Sequence, residues 1–131
     1  VALDGIDLLP LLRDGKLVAA EHRALFWHFP AYLQGRSDGK GPWRTTPAGA
    51  IRRGAFKLIE WFEDGRVELY EVGDDRGERD DLAQRHPGIV VEMRGELRAW
   101  RQSVSAPVPT ELEPAFDAEA RRAAATPRKR R

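Results

Sequence analysis

The residues best suited to contact a substrate are one histidine and two aromatic residues around a loop. His28 ends an aromatic run and precedes Pro30, so its imidazole could form a hydrogen bond at the edge of that loop. Tyr32 and Trp43 lie within the loop, a kind of segment that often carries binding residues. Their rings suit packing against sugar rings. We predict His28, Tyr32 and Trp43 as substrate-binding candidates.

Each of these side chains also has a purely structural interpretation. His28 could be a buried histidine that is hydrogen-bonded to the backbone, and Tyr32 and Trp43 could anchor the loop to the domain. Two neighbouring arginines, Arg52 and Arg53, could approach an anionic substrate, but arginines on a strand more often lie in solvent. The residue pattern leaves both interpretations open.

Several kinds of catalytic or metal site are excluded or disfavoured by the sequence. The chain has no cysteine, which rules out disulfides, thiolate metal sites and a cysteine nucleophile within these residues. Its three histidines lack the helical pair spacing of a zinc site. The acidic stretch 74–81 does not match the ligand spacing of an EF-hand loop. We predict no metal ligands and no catalytic residues in this chain.

The elements that position the candidates are mostly strands. The aromatic run 23–29 and the segment 50–53 are predicted as strands, with a long loop over 31–47 between them. Residues 56–70 form a predicted hairpin with a type I′ turn at Asp64-Gly65, which pairs Ile59 with Tyr70. Because side chains alternate along a strand, Leu58 and Phe62 share one face of the hairpin. Lys57, Ile59 and Trp61 share the other.

The C-terminal part contains one long amphipathic helix. Apolar residues recur every three or four positions, which predicts a helix from Pro87 to Val104 with a single apolar stripe. The stripe consists of Ile89, Met93, Leu97, Trp100 and Val104. The order of elements predicts an α+β fold, a small antiparallel sheet of about four strands packed against one long C-terminal helix. Because both faces of the hairpin are partly apolar, the second face should pack against another element.

Together these segments resemble the C-terminal subdomain of the type I, formylglycine-dependent sulfatases of the arylsulfatase kind. The resemblance runs in order from about Leu3 to Pro109. The segments that carry it are residues 4–12, 23–30, 50–54, 57–59, 63–70, 75–78, 81–83 and 100–101. No single segment is decisive, and the specificity lies in their ordered combination.

The resemblance implies a larger enzyme whose chemistry lies outside this chain. In this family an N-terminal domain carries a Cys (or Ser)-x-Pro-x-Arg motif, whose first residue becomes formylglycine, and the ligands of a calcium ion. The C-terminal subdomain buttresses that domain and contributes to the rim of the substrate pocket. We therefore expect this chain to be inactive alone, to partner an N-terminal sulfatase domain, and to serve an enzyme acting on a sulfated small molecule or carbohydrate.

The resemblance also implies a division of the chain. Residues 1–20 would be a connector from a missing N-terminal catalytic domain, residues 21–106 the subdomain, and residues 107–131 a disordered basic tail. Related sequences often carry a second histidine shortly after the one at His28, where this chain has Ala31. The role of that second position therefore does not carry over to this chain.

Charge and composition favour a soluble globular domain and leave two other hypotheses. The formal net charge of the chain is +1. Residues 115–131 have a net charge of +4, from six basic and two acidic groups, and the remaining residues have a net charge of −3. A nucleic-acid binder would have to use the basic residues of this tail, because the remainder has no cluster of basic residues typical of a nucleic-acid interface.

A free-standing module that binds sulfated glycans without catalysis is the main alternative. No membrane span or signal peptide is evident, and the compartment stays open.

Overall fold

The computed structural model describes residues 8–15, 23–34 and 43–111, and the side chains of residues 34, 43 and 44 lie outside that description. The first described element is a short helix, α1 (Leu9–Asp14), which contains Pro10 in its first turn. The helix ends at Gly15, whose φ of 65° is the left-handed conformation that glycine adopts without strain. None of the residues of α1 is buried.

Four strands form one antiparallel sheet in the order β1-β4-β5-β6. They are β1 (Leu25–Phe29), β4 (Ala48–Arg53), β5 (Phe56–Trp61) and β6 (Val67–Glu71). The long helix α2 (Pro87–Ser103) lies across the β4 and β5 side of the sheet. These elements confirm the predicted α+β fold.

The core lies between the sheet and α2. Its buried side chains come from three strands, from the segment after β6 and from the helix stripe that the sequence predicted. They are Ile51, Leu58, Leu69, Leu82, Met93 and Leu97. Leu82 follows β6, and its N–H donates to the carbonyl of Leu69 at 2.7 Å, so this segment also covers the edge of the sheet.

The loop predicted over residues 31–47 contains two short strands. β2 (Leu33–Gln34) and β3 (Trp43–Thr45) pair antiparallel as a separate two-stranded sheet. Their pairing is irregular between Leu33 and Gln34. Strands this short carry no periodic signal, which explains why the sequence predicted only a loop.

The hairpin of β5 and β6 is present, but its predicted turn and register are wrong. Ile59 lies opposite Glu68 rather than Tyr70, and the N–H of Trp61 donates to the carbonyl of Arg66 at 2.9 Å. Four residues therefore form the loop, and Gly65 is the only one of them with positive φ, which excludes a type I′ turn. Within the loop, the N–H of Arg66 donates to the carboxylate of Asp64 at 3.0 Å.

The register differs by two residues, so the predicted faces of the hairpin are unchanged. Leu58 lies in the core beneath α2, whereas Ile59 lies on the opposite side of the sheet. We call that opposite side the outer face. Its principal side chains come from β1, β4 and β5, and they are Leu25, Trp27, Phe29, Ala48, Ala50, Arg52, Lys57 and Ile59.

Candidate functional site

The outer face is apolar along β1, and no described element covers that strand on this side of the sheet. Trp27 is 50% exposed, and its neighbours on the same side of β1, Leu25 and Phe29, are each 42% exposed. The next strand, β4, contributes only Ala48 and Ala50 to this region. Because small residues on β4 lie beside large ones on β1 and β5, the face is grooved.

A cleft of about 690 Å³ occupies one end of this groove. We call it the outer cleft. Its floor and one wall come from the sheet, and the other wall comes from the segment that follows β6. Its lining residues are Trp27, Ala50, Arg52, Lys57, Ile59, Val72, Gly73, Arg76 and Glu78. A volume of this size is typical of sites that hold small molecules.

The lining of the outer cleft carries an excess of positive charge. Lys57 Nζ lies 2.6 Å from Glu78 Oε1, so these two charges neutralise each other. Among the described residues, the side chain of Arg52 bonds to the carbonyl of Gly54, at 3.3 Å. Arg76 makes no ion pair or side-chain hydrogen bond with any described residue. Two guanidinium groups are thus left without a counter-charge in this part of the chain.

The wall after β6 is held in place by its own carboxylates. The Asp75 carboxylate accepts the N–H groups of Arg79 and Asp80 at 2.6 and 2.9 Å. These backbone hydrogen bonds lower the pKa of Asp75 below its ordinary value. Beneath the wall, burial raises the pKa of Tyr70, and the charges of Asp81 and Glu78 raise it further. The cleft wall is therefore an ordered loop packed over β6.

His28 lies on the other side of the sheet from the outer cleft. Its Nε2 donates to the carbonyl of Pro107 at 2.6 Å, and its ring packs near Phe62 and Trp100 at centroid distances of 5.5 and 6.4 Å. Nδ1 is buried without a hydrogen-bond partner in the described part of the chain. These contacts are those expected of a structural histidine that is hydrogen-bonded to the backbone. Substrate binding by His28 stays a prediction.

The other two candidates lie near the small β2–β3 sheet. Tyr32 is half-buried immediately before β2, and Trp43 begins β3 with its side chain outside the described residues. The described side chains of His28 and Tyr32 do not line the outer cleft. The roles of Tyr32 and Trp43 in substrate binding also stay predictions.

A buried ion cluster that the sequence analysis missed joins β5 to α2. Glu60 is only 5% exposed, and its two carboxylate oxygens each lie 2.7 Å from a guanidinium nitrogen, of Arg94 and Arg101 respectively. Arg98 approaches the same carboxylate at 3.5 Å. The guanidinium of Arg101 also lies over the ring of Phe62, 5.1 Å from its centroid. This cluster, which we call the Glu60 clamp, holds α2 against β5.

A second ion pair network accounts for Arg53. Its guanidinium bonds to Glu92 and Glu96 on α2, and these contacts raise the pKa of Arg53. Arg53 therefore faces the helix, whereas Arg52 faces the outer cleft. Of the two arginines that the sequence singled out, only Arg52 is placed to meet an external anion.

The described residues do not fit a calcium site or a formylglycine precursor. No three of their His, Asp or Glu side chains come together in a way that could hold a metal ion. The nearest match to Ser-x-Pro-x-Arg is Ser105-Ala106-Pro107-Val108-Pro109, which has proline where the motif requires arginine. In the same part of the chain, no helix is long and apolar enough to cross a membrane.

Comparison with known proteins gives one curated relative and several similar structures. No protein-family model matches the chain. A sulfatase of Formosa agariphila is 30% identical over 115 residues, covering 80% of this chain and 19% of the relative. A solved 2-O GAG sulfatase is similar in fold, with a TM-score of 0.60 at 24% identity. A candidate sulfatase from Bacteroides thetaiotaomicron has a TM-score of 0.58 at 25% identity.

These alignments cover most of this chain but only a small part of each relative. Each structural alignment covers 85% of this chain but only 23% of the solved chain. The chain therefore spans about a fifth of the length of the relatives that it matches. The predicted resemblance is confirmed: this chain is a relative of the sulfatases, and the segment of them that it matches is consistent with their C-terminal subdomain.

Proposed function

We propose that this chain is the C-terminal subdomain of a longer sulfatase, which hydrolyses sulfate esters and whose catalytic domain packs on the outer face. The observation that carries the proposal is the sequence match to a sulfatase about five times longer, combined with an apolar face that no described element covers. Monomeric proteins rarely leave a contiguous apolar surface of this kind open. A catalytic domain would cover it.

The subdomain supports the chemistry without performing it. Hydrolysis of a sulfate ester requires a nucleophile and cationic groups that stabilise the charge on the sulfate oxygens. We assign the formylglycine and the calcium ion to the catalytic domain of the complete protein, and no reaction step to this chain. Its contribution is to hold the catalytic domain in place and to form part of the rim of the substrate pocket.

The proposed substrate is a sulfated saccharide. One of the structural neighbours is described as a 2-O GAG sulfatase, which supports a sulfated sugar as the substrate class. The free-standing glycan-binding module receives no comparable support, because it would leave Trp27 and Phe29 exposed to solvent.

The proposal predicts that a charge on the outer face disrupts the complete enzyme. In the protein that includes this chain, we expect Phe29→Asp to reduce sulfate release from an aryl sulfate by about tenfold or more, because a small displacement of a supporting domain disturbs the geometry of the site. The control is Val91→Asp, on an α2 residue that is 72% exposed, which we expect to leave the rate unchanged.

Two outcomes would count against the proposal. Absence of sulfate release from the complete wild-type protein, with aryl and saccharide substrates alike, would contradict the enzymatic assignment. Equal rates for Phe29→Asp, Val91→Asp and wild type would contradict packing of a catalytic domain on the outer face.

A further inference from the structure

We propose that the free edge of β1 pairs with an extended, uncharged segment of the catalytic domain, which adds a further strand to the main sheet. The inference rests on the proposed function, because that function supplies the second domain. It concerns the backbone groups at the edge of the sheet, which are distinct from the side chains of the outer face. Addition of a strand to an open sheet edge is a common way in which one protein segment binds another.

The tight turn between β4 and β5 determines which backbone groups of β1 lie at the free edge. Gly54, the first of its two residues, has a φ of 59°, and Arg53 lies directly opposite Phe56. A two-residue hairpin of this kind closes with a hydrogen-bonded pair, and such pairs alternate along antiparallel strands. The backbone of Arg53 therefore bonds to β5, and that of Arg52 bonds to its partner in β1, Leu25.

The same alternation continues along β1. The N–H and C=O groups of Leu25, Trp27 and Phe29 point towards β4, so those of Phe26 and His28 point away from it, to the free edge. In the described part of the chain, no backbone group bonds to Phe26 or His28 at that edge. The edge therefore offers donors and acceptors to an added strand.

Nothing in β1 protects this edge from pairing. The register with β4 is continuous over all five residues, and the strand contains no proline, glycine or lysine. Its one ionisable side chain, His28, is engaged by the carbonyl of Pro107. The opposite edge of the sheet is closed, because the carbonyl of Leu69 accepts the N–H of Leu82 at 2.7 Å and the N–H of Leu69 donates to Asp81 at 3.0 Å.

A segment of the catalytic domain fits this edge better than a second copy of the chain. The chain covers only 19% of its curated relative, so the complete protein has several times more sequence from which a strand could come. Pairing with a second copy would leave Trp27 and Phe29 exposed, because their side chains project from the face of the sheet and not from its edge. A strand from the domain that covers the outer face closes the edge and the face together. Because β1 carries no acidic residue, lysine or arginine, the added segment is expected to be uncharged.

Amide hydrogen exchange at single-residue resolution, in the complete protein, tests the inference. We expect the protection factors of the outward amides, Phe26 and His28, to lie within about tenfold of those of Trp27 and Phe29. Trp27 and Phe29 are the matched controls, because their amides bond to β4 on the same strand. Outward amides that exchange about a hundredfold or more faster than these controls would overturn the inference.

A backbone substitution separates hydrogen bonding at the edge from simple burial. Phe26→phenyllactate keeps the ring but replaces the N–H with an ester oxygen. At a paired edge this change lowers the melting temperature of the complete protein about as much as Phe29→phenyllactate, which removes an N–H that bonds to β4. An unchanged melting temperature for Phe26→phenyllactate would overturn the inference, because an N–H that bonds only to water is lost without cost.

The outcomes separate this inference from the proposed function. Protected outward amides in a monomeric complete protein that releases no sulfate from any substrate would support the added strand and contradict the enzymatic assignment. Sulfate release with unprotected outward amides would overturn the added strand alone. Protection that appears only in a dimer, identified by analytical ultracentrifugation over a range of concentrations, would also overturn it, because the strand would then come from a second copy.

Discussion

Replacing Glu60 with alanine is expected to lower the free energy of unfolding by about 3–5 kcal/mol. The change leaves Arg101, which is largely buried, and the partly exposed Arg94 without the carboxylate that both contact. Removing one member of a buried ion pair costs far more than the pair contributes, because the remaining charges stay desolvated. Native-state hydrogen exchange at the amides of β5 and α2, in the protein that carries this chain, measures the loss.

A matched pair of arginine variants distinguishes the buried contact from a surface one. Arg98 is more than half exposed and lies 3.5 Å from Glu60, so Arg98→Ala should cost no more than about 0.5 kcal/mol. Arg101 is largely buried on the same carboxylate, so Arg101→Ala should cost several times as much. Equal effects of the two variants would show that Glu60 is not a buried clamp.

The Glu60 clamp is also expected to make the stability of the fold depend on pH. Burial alone raises the pKa of the Glu60 carboxyl, but hydrogen bonds from Arg101 and Arg94 outweigh burial and hold the pKa below its ordinary value of 4.5. A carboxyl with a lowered folded-state pKa stabilises the fold above its unfolded pKa, and this stabilisation is lost as the pH falls through the folded value. The melting temperature of wild type should therefore fall below about pH 4.5 more steeply than that of Glu60→Gln. Parallel profiles would contradict this assignment.

Truncation of Leu97 is expected to be nearly as costly as loss of Glu60. Leu97 is fully enclosed between α2 and the sheet, and Leu97→Ala should lower the free energy of unfolding by about 2–5 kcal/mol through lost burial and the cavity that remains. Val91→Ala, on the exposed side of the same helix, should change it by less than about 0.5 kcal/mol. The same exchange experiment reports both values.

A small effect of Leu97→Ala would have a clear meaning. It would indicate that α2 is not packed on β4 and β5 in solution, since no other helix in the described part of the chain covers that face. A large effect of Val91→Ala would instead indicate that another domain covers the exposed side of α2. Together the two variants test which faces of the subdomain are internal.

Local periodicity was sufficient to predict the four strands of the main sheet, the long helix and the faces that they bury, but not the short strands β2 and β3. The stripe on α2 places Met93 and Leu97 in the core as expected, while Val104 lies beyond the helix end and is exposed. The Asp64-Gly65 pair located the turn, but the loop has four residues instead of two, so the register of β5 against β6 differs from the predicted one by two residues. The dipeptide signal marks the position of a turn, whereas loop length sets the register.

The candidate site was less accessible to sequence reasoning. Glu60 lies two residues after Leu58, so both side chains point to the core face of β5. A charged residue at such a buried position indicates a partner of opposite charge. Arg94, Arg98 and Arg101 recur at helical spacing on α2, so this pair of patterns could have revealed the clamp. The outer cleft could not be predicted, because it forms only where the loop carrying Arg76 folds over the face of β5.

The nucleotide sequence upstream of Val1 tests the central claim most directly. We expect an in-frame catalytic domain there, with a Cys (or Ser)-x-Pro-x-Arg motif, because this chain matches only about a fifth of its curated relative. An in-frame start at this boundary with no such domain before it would contradict the assignment of this chain to a longer sulfatase. It would leave the chain as a free-standing protein that has kept the subdomain without the enzyme.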